Sequence, residues 1–139
     1  MPHFSASGRK TTTTKILTYF RNQNGSPVVL DNCTGSQDQE WTFRGGTISA
    51  YNGTMCLEVP GGSNDDGVKL QICGCSPTNV NQQWHWPTDT LCPMHIEWKN
   101  HQRCLDLTDG ILTSGTEAQI WDCIGYVKAF NIRLITDSR

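Results

Sequence analysis

Apolar residues along this chain come in short runs. "CLDL" (104–107) and "QIW" (119–121) stay apolar or alternate for a few positions, and "PGG", "NDDG" and "TDG" interrupt such runs with turn residues. Runs of this kind between turn signals predict short β-strands. A helical 3.6-residue stripe never persists beyond about two turns, so the pattern predicts an all-β chain.

The strand pattern repeats. "CLEVPGGSNDDGVKLQICGC" (56–75) and "CLDLTDGILTSGTEAQIWDC" (104–123) align without a gap. Each places Gly eight residues before the last cysteine (Gly67, Gly115), and Gln71-Ile72 matches Gln119-Ile120. A third copy fits in its second half, where Gly25 lies eight before Cys33; its first half should begin near Thr14, in "TKIL". The final cysteines, Cys33, Cys75 and Cys123, stand 42 and 48 residues apart. The third spacing is longer because of "PTDTLCPMH", a predicted surface loop. Three copies of roughly four short strands suggest one closed barrel of about twelve strands with pseudo-threefold symmetry, which also removes exposed sheet edges. The expected organisation is one domain over 1–139, with subdomains near 11–50, 51–92 and 93–135.

After each final cysteine comes an aromatic box: "QEW", "QQW" and the degraded "KAF". Trp41, Trp84 and Phe130 are therefore equivalent. An aromatic that tolerates exchange for phenylalanine reads as a core pillar, since bulk is what each copy keeps. Each would bury ~150–250 Å². Trp86 and Trp98 have no counterparts in the other copies, and packing is the default reading for both.

Composition narrows the function. Charged residues make up 17% and the formal charge is −2, with no basic run, which argues against nucleic acid and anionic membranes as partners. Apolar stretches fall far short of the ~20 residues of a membrane span. "MPHFSASGRKTTTTK" has no apolar core of a secretory signal, so the expectation is a cytoplasmic or unconventionally secreted protein, or an extracellular one that has been trimmed. Seven cysteines are many for 139 residues, and the odd number leaves at least one outside intramolecular disulfides. Sequons at Asn24, Asn32 and Asn52 are read as chance in a chain rich in Ser and Thr.

The boxes and the "CLDLTDG…GTEAQIWDC" string resemble the ricin B chain-type (R-type) β-trefoil lectins, in the style of fungal members. The resemblance covers about residues 11–135 and is strongest in the third copy. It implies a β-trefoil fold, binding of galactose or N-acetylgalactosamine type glycans, and no catalysis. It also implies disulfides Cys56–Cys75 and Cys104–Cys123. Cys33 would lack a partner because Thr14 occupies the matching site. A Cys73–Cys92 bridge remains open.

In that family a carboxylate two residues after the first cysteine accepts from sugar hydroxyls. A glutamine lies four before the second cysteine, an aromatic plate two before it, and an Asn-Gln pair heads the box. In the third copy these positions are Asp106, Gln119 and Trp121, with Val127 and Lys128 where the amide pair would be. Strand alternation with Ile120 inward puts Gln119 and Trp121 outward. The second copy carries Glu58, Gln71, Asn81 and Gln82 but has Cys73 as its plate, so it reads as a weaker second site. The first copy has Ile16 or a neighbour, Val29 and Asp31, and reads as dead. The expected partners are glycans or glycoconjugates, with no cofactor; agglutination through one shallow site would need a homodimer or a second site.

Other chemistries fit less well. Cys92-x2-His95 and His101-x2-Cys104 have zinc-like internal spacing, but only five residues separate the pairs and Cys104 has a better partner in the repeat. "NDDG" (64–67) reads as a hairpin turn, since the later ligands of a calcium loop are absent. No nucleophile–base or paired-carboxylate pattern stands out. The alternative function is a trefoil whose sugar sites have decayed into a protein-interaction scaffold, an inhibitor or an enzyme-associated subunit.

Overall fold

A computed structural model describes residues 3–7, 15–85, 96–123 and 131–135, with the backbone alone for 3–7, 15 and 131–135. Twelve strands are described. They are β1 His3–Ser7, β2 Lys15–Tyr19, β3 Ser26–Asn32, β4 Thr42–Arg44, β5 Thr47–Ala50 and β6 Met55–Glu58, then β7 Gln71–Gly74, β8 Trp84–His85, β9 Glu97–Trp98, β10 Arg103–Leu107, β11 Ala118–Asp122 and β12 Asn131–Ile135. All strand pairs are antiparallel, and β12 returns to pair with β1 along its whole length, joining the two ends of the fold.

Three hairpins, β2–β3, β6–β7 and β10–β11, carry equivalent residues from the three copies. Their registers pair Leu17 with Leu30, Leu57 with Ile72, and Leu105 with Ile120. All six side chains are buried, at 4% exposure or less. The hairpins are joined around the pseudo-threefold axis by one repeated bond. The Gly25 amide donates to the Ile72 carbonyl (2.9 Å), Gly67 to Ile120 (2.8 Å) and Gly115 to Leu30 (2.8 Å). These glycines have φ of +85°, +89° and +94°, a region that L side chains with a Cβ avoid. This explains why the repeat keeps glycine eight residues before its last cysteine.

The tryptophans of the two intact boxes are pillars. Trp41 and Trp84 are 1% exposed, and each indole Nε1 donates to a backbone carbonyl in the first strand of its own copy's hairpin. Trp41 reaches Leu17 (2.9 Å) and Trp84 reaches Leu57 (3.0 Å). The ring therefore fills the core while its one polar atom stays satisfied. Trp98 is also fully buried, donating to Val80 O and stacking flat on the His101 ring. Phe130 and Trp86 lie outside the described residues.

Disulfides Cys56–Cys75 and Cys104–Cys123 are formed, each across 19 residues, and closing loops of that size stabilises a chain by ~3 kcal/mol per bond. Cys104 is thereby unavailable to a zinc ion. His101 is engaged as well: its Nδ1 donates to the Lys99 carbonyl at 2.6 Å.

The first copy corrects the alignment drawn from sequence. Register places Ile16, not Thr14, at the position of Cys56, and Thr18, not Ile16, at the position of Glu58. The first hairpin is two residues shorter than the others between these points. Apolar pattern alone does not reveal a shortened loop; cross-strand pairing does.

Candidate functional site

The third-copy site is built on β10–β11. Cys104 faces Trp121 and Asp106 faces Gln119 across the ladder, so all four share one face of the hairpin. Leu105 and Ile120 occupy the other face and enter the core. Alternation therefore places Gln119 and Trp121 on the outer face, as the pattern predicts. Only Trp121 reaches the surface, at 39% exposure; Gln119 is 3% exposed and Asp106 is 1% exposed. Neighbouring groups cover them. Gln119 Nε2 donates to Asp106 Oδ2 at 2.7 Å. Lys69 Nζ donates to Gln119 Oε1 at 2.6 Å and to Thr108 Oγ1 at 2.7 Å. Thr108 passes its own proton to the Glu117 carbonyl at 2.9 Å. Lys128 lies outside the described residues.

A second-copy segment flanks this site. The Asp66 carboxylate accepts from the Asp122 amide at 2.7 Å and contacts Arg103 Nε at 3.2 Å. Arg103 Nε also donates to the Asn64 carbonyl at 2.9 Å. The stretch read from sequence as a hairpin turn does connect β6 to β7, turning at 66–67, and it is also pinned to the next copy. It brings Gly67 beside the plate: a Cβ at Gly67 would sit 3.7 Å from Trp121 Cζ3 and 3.9 Å from Gln119 Oε1.

The second copy has the same ground plan with different chemistry. Glu58 faces Gln71 and accepts from Gln71 Nε2 at 2.8 Å, Gln82 Nε2 at 2.9 Å and Asn79 Nδ2 at 3.0 Å. It is 8% exposed. Gln82 has no exposed surface. Its Nε2 also donates to the Gly74 carbonyl (2.9 Å) and its Oε1 accepts from the Ser76 amide (2.9 Å). Gln39 does the equivalent work in the first copy, binding Asn32 O, Thr18 Oγ1 and the Thr34 amide. The glutamine of the box is thus an internal tie that holds the loop after the second cysteine against the carboxylate position. Asn81 sits apart from Glu58, with its side chain against Gly62; Asn79, two residues earlier, supplies the amide that reaches the carboxylate. Cys73 occupies the plate position as a half-buried free thiol. Burial pushes its thiol up, and the neighbouring Glu58 carboxylate adds to that shift.

In the first copy Thr18, Val29 and Asp31 stand at the carboxylate, glutamine and plate positions. Thr18 and Val29 are buried. No aromatic stands at the plate position of that hairpin, and no carboxylate and amide face each other at the Thr18 and Val29 positions.

Sequence reading missed Lys69 and Asn79. Lys69 belongs to the second copy by order but contacts the third by fold, and its counterparts Pro27 and Glu117 give no hint of a shared role. Their bridges do reveal the symmetry: Pro27 pairs with Gln71, Lys69 with Gln119 and Glu117 with Val29.

Twelve strands, three hairpins joined around one axis and paired chain ends define a β-trefoil. The chain belongs to the ricin-type β-trefoil lectin domain family, whose profile matches residues 9–129; domains of this family are carbohydrate-binding modules. Its fold is similar to that of ThreeFoil, a designed threefold-symmetric protein, with TM-score 0.77 and 19% identity over 96% of this chain and 98% of that one. It is also similar to the C-half of an earthworm R-type lectin in complex with GalNAc, with TM-score 0.67 and 14% identity over 96% and 99% of the two chains. A non-toxic type II ribosome-inactivating-protein homologue from Momordica charantia (bitter gourd), in complex with α-methyl-D-galactoside, gives TM-score 0.67 at 15% identity. There the match covers 95% of this chain and 47% of the gourd chain.

Proposed function

We propose that this domain is a non-catalytic lectin that binds terminal galactose or N-acetylgalactosamine residues through its third subdomain. The observation that carries this reading is the exposed Trp121 plate on the same hairpin face as the buried Asp106–Gln119 pair. A galactose-type ring offers an apolar C–H face to an indole and hydroxyl donors to a carboxylate, so the two groups match the two sides of one sugar. In this reading Trp121 stacks on the ring and Asp106 accepts from its hydroxyls. Gln119, being buried, orients the carboxylate, and Lys128 adds a donor from the segment that follows. The similar earthworm and gourd proteins, solved in complex with GalNAc and a methyl galactoside, support this choice of sugar class. Glu58, Gln71 and Asn81 mark the weaker site, because Cys73 offers no π face, and the fully buried Gln82 braces Glu58 from within and does not reach a sugar.

A glycan array probed with wild type, Asp106→Ala and Trp121→Ala tests the proposal. Wild type should bind galactose-terminated glycans and both variants should lose that binding. Equal binding by all three proteins would place the site elsewhere. One shallow site is expected near the millimolar range, equivalent to ~4 kcal/mol.

One observation favours a second reading, a protein-interaction scaffold with decayed sugar sites. In the first two copies the carboxylate position is either lost to Thr18 or wrapped by three amides around Glu58. Absence of any glycan binding by wild type would favour it.

A further inference from the structure

The second and third copies surround their buried carboxylates differently. Glu58 is met by three neutral amides, from Gln71, Asn79 and Gln82. Asp106 keeps the matching glutamine, Gln119. Beyond that glutamine lies a cation: Lys69 Nζ, 2.6 Å from Gln119 Oε1. In the second site the position matching Lys69 is Pro27, which has no charge to offer.

A carboxylate with 1% exposure has little water to offset its charge, and an isolated charge in such surroundings is costly. Neutral donors or a nearby cation supply the compensation. A lysine bonded to the carbonyl end of Gln119 also polarises its amide, strengthening the N–H bond to Asp106. Thr108 Oγ1 takes a second Nζ proton at 2.7 Å and holds the ammonium in place.

We propose that Lys69, carried by the second subdomain, is a positioning residue of the third-subdomain sugar site. It holds Gln119 and supplies the positive charge that keeps Asp106 set to accept sugar hydroxyls. The site is then composite, assembled from two copies, because one of its residues lies outside the repeat that carries Asp106. This rests on the reading of Asp106 and Trp121 as the sugar contacts.

Affinity for N-acetylgalactosamine, followed by titration of tryptophan fluorescence, separates the two ideas when wild type, Asp106→Ala, Lys69→Met, Lys69→Gln and Lys69→Arg are compared. Both neutral Lys69 variants should weaken binding about tenfold, equivalent to ~1.4 kcal/mol, while Lys69→Arg stays within about threefold of wild type. In ¹⁵N spectra the Gln119 side-chain amide should move in the neutral variants and return toward its wild-type position in Lys69→Arg. If wild type binds and Asp106→Ala does not, but the neutral Lys69 variants bind like wild type, the role given to Lys69 is wrong. Loss of binding in Lys69→Arg as well would make its shape, not its charge, the requirement, and would equally overturn it. Failure of wild type to bind would instead sink the sugar-site reading.

Discussion

The indole of Trp84 donates to the backbone carbonyl of Leu57 at 3.0 Å, with the ring sealed in the core. Trp41 makes the matching bond to Leu17 at 2.9 Å. In the first two copies the box tryptophan therefore ties the hairpin to the box segment, and it contributes no surface to a ligand.

Trp84→Ala should destabilise the domain by ~3–5 kcal/mol, the range for removing a buried aromatic. Trp84→Phe retains most of the bulk but leaves the Leu57 carbonyl without its indole partner, and should cost roughly 1–3 kcal/mol. Urea unfolding at neutral pH measures both. A Trp84→Ala protein as stable as wild type would show that the ring is not a pillar.

Gln82 makes a more discriminating case. It ties the Ser76 amide, the Gly74 carbonyl and Glu58 together without any exposed surface. Gln82→Ala should lower stability by roughly 2–4 kcal/mol, because the partners it leaves are buried or half-buried. Binding at the third site should be untouched once the protein is folded. A variant that loses glycan binding while keeping full stability would instead make Gln82 a sugar contact.

The two free thiols among the described residues should react at different speeds. Cys33 is exposed, whereas Cys73 is half-buried with its thiol pushed up by burial and then by Glu58. The thiolate is the reactive form, so at neutral pH a smaller fraction of Cys73 is reactive. Alkylation should label Cys33 first. Cys73 labelling should keep accelerating into more alkaline solution than an ordinary exposed thiol, and Glu58→Gln should speed it at neutral pH. Mass spectrometry after timed alkylation reads this directly; equal rates for the two cysteines at neutral pH would contradict the assigned environment.

Much of this protein is set locally, and so is legible in its sequence. Strand and turn periodicity, the repeated glycines, the matched cysteines and the aromatic boxes depend on short-range backbone preferences and fixed spacing. They announce a closed barrel of pseudo-threefold symmetry, the Trp41 and Trp84 pillars and the outward Trp121, while the resemblance to R-type lectins adds the trefoil and the two disulfides. What only the tertiary structure decided depends on pairing between segments that the sequence does not place side by side. The register of β2 against β3 moved the carboxylate position to Thr18, because a hairpin shortened by two residues leaves the apolar pattern intact. The burial of Gln119 and Gln82 came from neighbours packed over them, which alternation does not see. Lys69 joined the Asp106 site because a threefold closure brings the middle of one copy against the middle of the next, 50 residues along the chain. A repeat encodes its own hairpin; on the third hairpin, groups that finish the outer face come from the copy beside it.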